Sequence, residues 1–176
     1  MDVFSQAIVA WQPFFNTLAE VCATLAGLLF VAISLHPANK DAGAKTNLRR
    51  LAEHTFSDLL QVLFVGIFFS VPGQAPSFYA ACAVAIVVSG LRDPLRRLWE
   101  TWCDRANAIH RDHFIRRVGL SLLGRGALCF GGVTLFVHRL TTPDVVQDLL
   151  FVFGGSLILM ISAMRNAWFL MLQETV

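Results

Sequence analysis

The chain has 176 residues, of which 56% are hydrophobic and only 15% charged, and its mean hydropathy is +0.61. A soluble domain carries about 25% charged residues, so this composition excludes an ordinary water-soluble globular domain and predicts an integral membrane protein. The net charge of +2 at pH 7 is small, and its distribution along the chain is more informative than its size.

The first apolar run covers residues 14–35, which meets the requirement of about 20 apolar residues for a membrane span. Trp11 precedes the run, where it is expected to anchor the helix at the interface. Ala19, Ala23 and Gly27 recur every fourth residue, a spacing that lets membrane helices approach closely. This ridge fits packing within one chain and an oligomer interface equally well.

The second and third apolar runs, 55–71 and 77–91, are short for spans, and a turn containing Pro and Gly at 72–76 separates them. They are predicted to form either two tilted spans or one re-entrant hairpin. Both arrangements return the chain to the side from which it came, so the rest of the topology does not depend on the choice.

The segment 94–114 is predicted to be an amphipathic helix on the inner membrane surface. Asp93 followed by Pro94 is typical of a helix start, and apolar residues then recur at helical spacing. The helix is either an ordinary interfacial anchor or a docking surface for anionic lipid or a partner protein. Under the second interpretation the docking residues are Arg96, Arg97, Trp99, Trp102 and Arg105.

The fourth and fifth runs cover 118–138 and 145–172, and Ala127 with Gly131 forms a second small-residue ridge. The predicted fold class is therefore an all-α membrane bundle in one domain, residues 1–176. It has five transmembrane helices, or four plus a re-entrant hairpin, and one cytoplasmic interfacial amphipathic helix.

The basic residues predict the orientation of the chain. Of the 14 Lys and Arg residues, four lie between the first and second runs and seven between the third and fourth. These two connections share one side of the membrane, which the positive-inside rule identifies as the cytoplasm. The N-terminus is then outside and the C-terminus inside, and the cytoplasmic face is expected to attract anionic lipid.

Ionisable residues within a span are costly, and each is a functional hypothesis by default. Asp58, Arg125 and Arg165 lie at similar depth near the inner ends of their spans and are expected to neutralise one another. Arg125 is open to an ion pair, to snorkelling or to a transport role, and Arg165 to snorkelling. Glu20, one turn after Asn16, lies in the outer half, where it is either a buried hydrogen-bonded carboxyl or part of a pore lining.

No pattern in the sequence indicates catalysis or a cofactor. The four cysteines are scattered, and neither a phosphate-binding loop nor a Ser/His/Asp arrangement occurs. The basic loops also lack the interleaved aromatic residues of a nucleic-acid platform. We therefore expect a protein that is not an enzyme and that has no cofactor, no metal and no nucleic-acid partner.

Three stretches resemble a known family: 19–35 (AEVCATLAGLLFVAISL), 71–74 (VPGQ) and 166–168 (NAW). They are similar to those of a family of small bacterial multi-span membrane proteins, some of which are named as modulators of a membrane-anchored AAA protease. The resemblance implies a location in the bacterial inner membrane. It also implies that Glu20 belongs to the pattern of the family.

Two functional classes follow from these observations. The favoured one is a non-enzymatic accessory or regulatory membrane protein that acts through helix packing with itself, with partner membrane proteins or with lipid. The alternative is a homo-oligomeric channel or pore with Glu20 lining the path. Such a path would need several copies, because five spans are too few for the paired repeats of many transporters.

Overall fold

The computed structural model describes the backbone of residues 3–34, 42–103, 108–138 and 145–172, and the side chains of 4–34, 51–91, 119–137 and 145–170. Nearly all of this part of the chain is helical, and no strand occurs in it. The helices are α1 Val3–Ser34, α2 Ala42–Ser70, α3 Pro76–Cys103, α4 Ala108–His138 and α5 Val145–Leu172. The predicted all-α helical bundle is confirmed.

Four helical segments are long and apolar enough to cross a membrane: Phe4–Ser34, Leu51–Ser70, Gly119–Val137 and Val145–Leu170. The apolar part of α3, Pro76–Leu91, is shorter. The apolar part of α2 has 20 residues and that of α3 has 16, so at 1.5 Å per residue the latter spans about 24 Å, less than the hydrocarbon thickness of about 30 Å. The two alternatives, two tilted spans or one re-entrant hairpin, stay predictions.

The first helix is longer than predicted, because α1 begins at Val3 instead of residue 14 and contains Pro13 in its interior. A proline lacks the N–H that would donate to the carbonyl four residues earlier, here Val9, and membrane helices tolerate this loss. The Thr17 hydroxyl donates to the Pro13 carbonyl at 2.9 Å, which is a different group from the one that Pro13 leaves without its helical donor.

The predicted helix start at Asp93 and Pro94 is wrong, because α3 runs without a break from Pro76 to Cys103. The predicted amphipathic segment 94–114 is therefore divided between the end of α3 and the start of α4, which begins at Ala108. A proline can forgo its hydrogen bond inside a helix that is already nucleated by its apolar part. The N-cap pattern alone did not allow for that continuation.

Helices α1 and α2 are antiparallel and in close contact. The Gln12 amide donates to the Ser70 carbonyl, and Gly66 faces the backbone of Phe15 and Ala19. A side chain at Gly66 would lie 2.9 Å from the Phe15 carbonyl oxygen, so the absence of one is what permits this approach. Rings extend the contact, with the centroids of Phe15 and Phe69 5.0 Å apart.

Helices α4 and α5 are also antiparallel, and glycines on both sides bring their backbones together. A Cβ at Gly155 would lie 2.7 Å from the Leu128 nitrogen and 2.8 Å from the Gly124 carbonyl oxygen. Further along, Gly131 faces Val152 in the same way. The remaining contacts place α2 against α3 and α5, α4 against α3, and α1 against α5, so α2 and α5 each have their main contacts with three other helices.

Candidate functional site

Polar side chains from α2 and α4 meet in the interior, in what we call the buried cluster: His54, Asp58, Gln61, Ser121 and Arg125. Asp58 and Arg125 are 0% and 1% exposed, and the Arg125 Nη2 lies 2.6 Å from the Asp58 Oδ1. The Arg125 Nε donates to the Gln61 Oε1 at 3.0 Å. The predicted neutralisation of Asp58 by Arg125 is therefore confirmed.

Two further groups complete the surroundings of the Asp58 carboxylate. The Ser121 hydroxyl lies 3.1 Å from both carboxylate oxygens, to which it can donate. The His54 Nδ1 lies 3.3 Å from the Asp58 Oδ2, and the His54 side chain is 8% exposed. Buried charges persist only when they are paired and hydrogen-bonded, and the Asp58 carboxylate meets both conditions within the chain. Among the described residues, by contrast, Gln61 Nε2 and His54 Nε2 are buried without a hydrogen-bond partner.

Sequence analysis missed His54, Gln61 and Ser121, although the spacing of two of them carries a signal. His54 is four residues before Asp58 and Gln61 is three residues after it, so all three share one face of α2. Gly90 of α3 also contributes, because a Cβ there would overlap the Gln61 amide. This glycine provides the space in which Gln61 reaches Arg125.

Arg165 differs from the other two members of the predicted charge group. Its side chain is exposed on α5, whereas Asp58 and Arg125 are buried. Exposure of the charged end agrees with snorkelling toward the interface. Sequence analysis also overlooked Asp148, which is 1% exposed and lies in the first turn of α5, where a helix favours an acidic residue.

Glu20 is exposed, and so is Asn16. The interpretation of Glu20 as a buried hydrogen-bonded carboxyl is therefore wrong. At about 100° per residue, Glu20 lies roughly 160–200° around α1 from Leu18 and Cys22, which are 4% and 0% exposed. Its side chain thus projects away from the bundle, and the sequence could not show this because α1 is apolar on nearly every side.

The predicted ridge on α1 is divided between two environments. Ala19 packs against Gly66 of α2 inside the chain. Ala23 is exposed, and nothing lies within 4 Å of a Cβ placed on Gly27. The outward surface formed by Asn16, Glu20, Ala23, Thr24 and Gly27 is called the α1 strip below.

The α1 strip belongs to the least covered span of the molecule. Of the apolar segment of α1, 22% is buried inside the protein, against 44% of the segments of α2 and α5. The Thr24 hydroxyl donates to the Glu20 carbonyl at 2.9 Å, so this hydroxyl is satisfied within α1. The Glu20 carboxylate and the Asn16 amide are the groups of the strip that remain available for contacts outside the chain.

The ridge predicted on α4 packs within the chain. Gly131 is buried against Val152 of α5, and Ala127 is half-buried beside it. The predicted docking residues cannot be placed in the same detail. Arg96, Arg97, Trp99 and Trp102 belong to α3, but their side chains lie outside the described ones, and Arg105 lies outside the described residues.

Comparisons of the chain with protein-family models, with curated proteins and with solved structures found no match. The resemblance to the family of small bacterial membrane proteins therefore stays a prediction that rests on its three sequence motifs.

Proposed function

We propose that this chain is a non-enzymatic accessory or regulatory membrane protein that acts by packing the α1 strip against another membrane helix. The observation that carries the proposal is the exposed Glu20 carboxyl within the α1 span. Ionisable side chains inside membranes face a protein interior or a water-filled cavity, because exposure to lipid is costly. A covering helix supplies such an environment for Glu20.

The buried cluster supports the same proposal in a different way. Its charges are neutralised within the chain, by the Asp58–Arg125 pair and by hydrogen bonds from Ser121 and to Gln61. Its role is therefore to hold α2 and α4 together. The α1 strip is thus the feature of the described spans that calls for an external contact.

Native mass spectrometry after gentle extraction from the host membrane tests this proposal. We expect the parent protein in a defined complex, and we expect Glu20→Leu to reduce the fraction of protein in that complex because the polar contact is gone. Leu28→Ala is the matched control, since Leu28 is 60% exposed on the same helix but outside the strip. A parent protein that carries only lipid contradicts the proposal.

The second candidate function is a homo-oligomeric channel with Glu20 lining the path. It is favoured by the exposure of both Asn16 and Glu20 one turn apart on the same side of α1, since rings of polar or charged side chains line many pores. Bilayer recordings of the parent and of Glu20→Gln test it. A path lined by Glu20 changes its ion selectivity when the charge is removed, and equal conductance in both proteins excludes this role.

The orientation and the surroundings belong to the same proposal. We infer a bacterial inner-membrane protein with the N-terminus outside, the C-terminus in the cytoplasm and anionic lipid at the cytoplasmic face. This is supported by the helical extensions that follow the apolar part of α3 and precede that of α4, which contain six of the seven basic residues between positions 92 and 117.

A further inference from the structure

We propose that the α1 strip is covered by the same strip of a second copy of this chain, with the two α1 helices parallel. This inference rests on the proposed function and names the partner for it. The surface concerned is the outward side of α1 around Glu20, opposite the buried residues Leu18 and Cys22.

The first argument is the contrast between α1 and another outward helix face. The exposed large residues of α4 are all apolar, as lipid contact requires: Leu123, Phe130, Val133, Phe136 and Val137. On α1, by contrast, the Asn16 amide and the Glu20 carboxyl are exposed. The hydroxyls of the exposed Thr17 and Thr24 donate to carbonyls of α1 itself. Amide side chains such as that of Asn16 hydrogen-bond across membrane helix interfaces.

The second argument is self-complementarity. Copies inserted in one membrane share the same orientation, so identical residues of two α1 helices meet at equal depth. Asn16 offers an N–H donor one turn from the Glu20 carboxyl, about 6 Å along the helix axis. In a parallel pair each Asn16 amide can therefore donate to the Glu20 of the other copy, which gives the reciprocal contacts of a two-fold interface.

The third argument is the room for close approach below Glu20. Ala23 is exposed, and Gly27 has open space where a side chain would be. These positions are four residues apart on the side of α1 that carries the polar groups. Two backbones can therefore come near enough for the short side chain of Asn16 to reach across.

Disulfide formation in membranes tests this pairing. We choose Ala23→Cys and Gly27→Cys, which lie on the α1 strip, and Val21→Cys and Leu28→Cys, which lie about 100–160° away around α1. All four positions are exposed, so the substitutions leave the core intact. The parent protein, oxidised in parallel, gives the background from its own cysteines.

We expect disulfide-linked dimers from Ala23→Cys and Gly27→Cys and only background from the two controls. A disulfide needs Cα atoms about 4.4–6.8 Å apart, which a direct helix contact provides at the facing positions alone. Equal yields at all four positions, or none above background at any of them, would overturn the pairing.

A second measurement separates pairing from mere proximity. Asn16→Leu and Glu20→Leu should each weaken the dimer by about eightfold, because either substitution removes both reciprocal hydrogen bonds and one such bond between membrane helices contributes about threefold on average. Leu28→Ala should leave it unchanged. Unchanged dimer fractions in both strip variants would contradict the reciprocal contacts.

These experiments distinguish a failure of the self-pairing from a failure of the proposed function. A native complex with a different membrane protein, together with no strip disulfide, refutes self-pairing and retains the accessory function. A monomer with lipid alone refutes both.

Discussion

At the scale of single residues, the buried cluster determines how much one substitution can change the stability of the protein. Asp58 and Arg125 are both almost completely buried, so each depends on the other for compensation. Removing one partner leaves an uncompensated buried charge, and this is more destabilising than replacing the whole pair by apolar groups.

Arg125→Leu is therefore expected to lower the free energy of unfolding by about 3–5 kcal/mol. The double variant Asp58→Leu with Arg125→Leu should lose less than the sum of the two single variants. Unfolding in mixed micelles measures both quantities. Strict additivity of the two single effects would show that the pair does not act as a unit.

Gly90 provides a second residue-scale test, because a methyl group there displaces the Gln61 amide. Gln61 can turn aside only by giving up its hydrogen bond to Arg125, so Gly90→Ala should cost about 1.5–3 kcal/mol, the range for a bond to a charged group. In a Gln61→Ala background the same substitution should cost almost nothing. An equal cost in both backgrounds would show that the destabilisation does not come from the hydrogen bond between Gln61 and Arg125.

The sequence allowed only part of this residue-scale description to be predicted. Similar depth in two spans was enough to pair Asp58 with Arg125. The outward direction of Glu20 was not predictable, because lipid is as apolar as a protein core and both sides of α1 carry similar residues. Hydrophobic periodicity identifies the inner face of a helix in a soluble protein, but it does not identify the inner face of α1.

At the scale of helices, glycines determine which pairs of helices approach each other most closely. Two adjacent glycines of α5 have opposite environments: Gly155 faces the backbone of α4, whereas Gly154 has nothing within 4 Å. The two are the same small residue in the sequence, and only the packed structure shows which of them is in contact with another helix.

Gly155→Ala should destabilise the protein clearly, because its methyl group meets backbone atoms of Gly124 and Leu128 that cannot turn away. Gly154→Ala is the matched control and should be neutral or stabilising by up to about 1 kcal/mol, since alanine favours the helix. Thermal unfolding in detergent compares them. Similar melting temperatures for the two variants would contradict the close α4–α5 contact.

Helix boundaries followed the sequence unevenly. The predicted run 145–172 coincides with α5, because turn-forming residues give way to apolar residues at the start of this run. The ends of α1 and α3 were missed because Pro13 and Pro94 stand inside continuous helices. Proline is therefore not a reliable boundary in such a helix, because membrane helices tolerate the loss of one backbone hydrogen bond.

At the scale of the whole molecule, composition was sufficient to predict the class of protein, an integral membrane protein. The four candidate spans agree with this prediction. The orientation is a prediction from the basic residues. An alkaline phosphatase fused to the C-terminus, which is active only outside the cytoplasm, should be inactive. A green fluorescent protein fusion at the same position should fluoresce, and the reverse pattern would refute the proposed orientation.

The central claim is that protein, and not lipid, covers the α1 strip in the membrane. A photo-crosslinking amino acid placed at Ala23, compared with one at Leu28, tests this claim most directly in intact host membranes. We predict a protein adduct from position 23 and lipid adducts from position 28, since Ala23 lies on the strip and Leu28 lies about 140° from it around α1. Lipid adducts alone from both positions would contradict the claim.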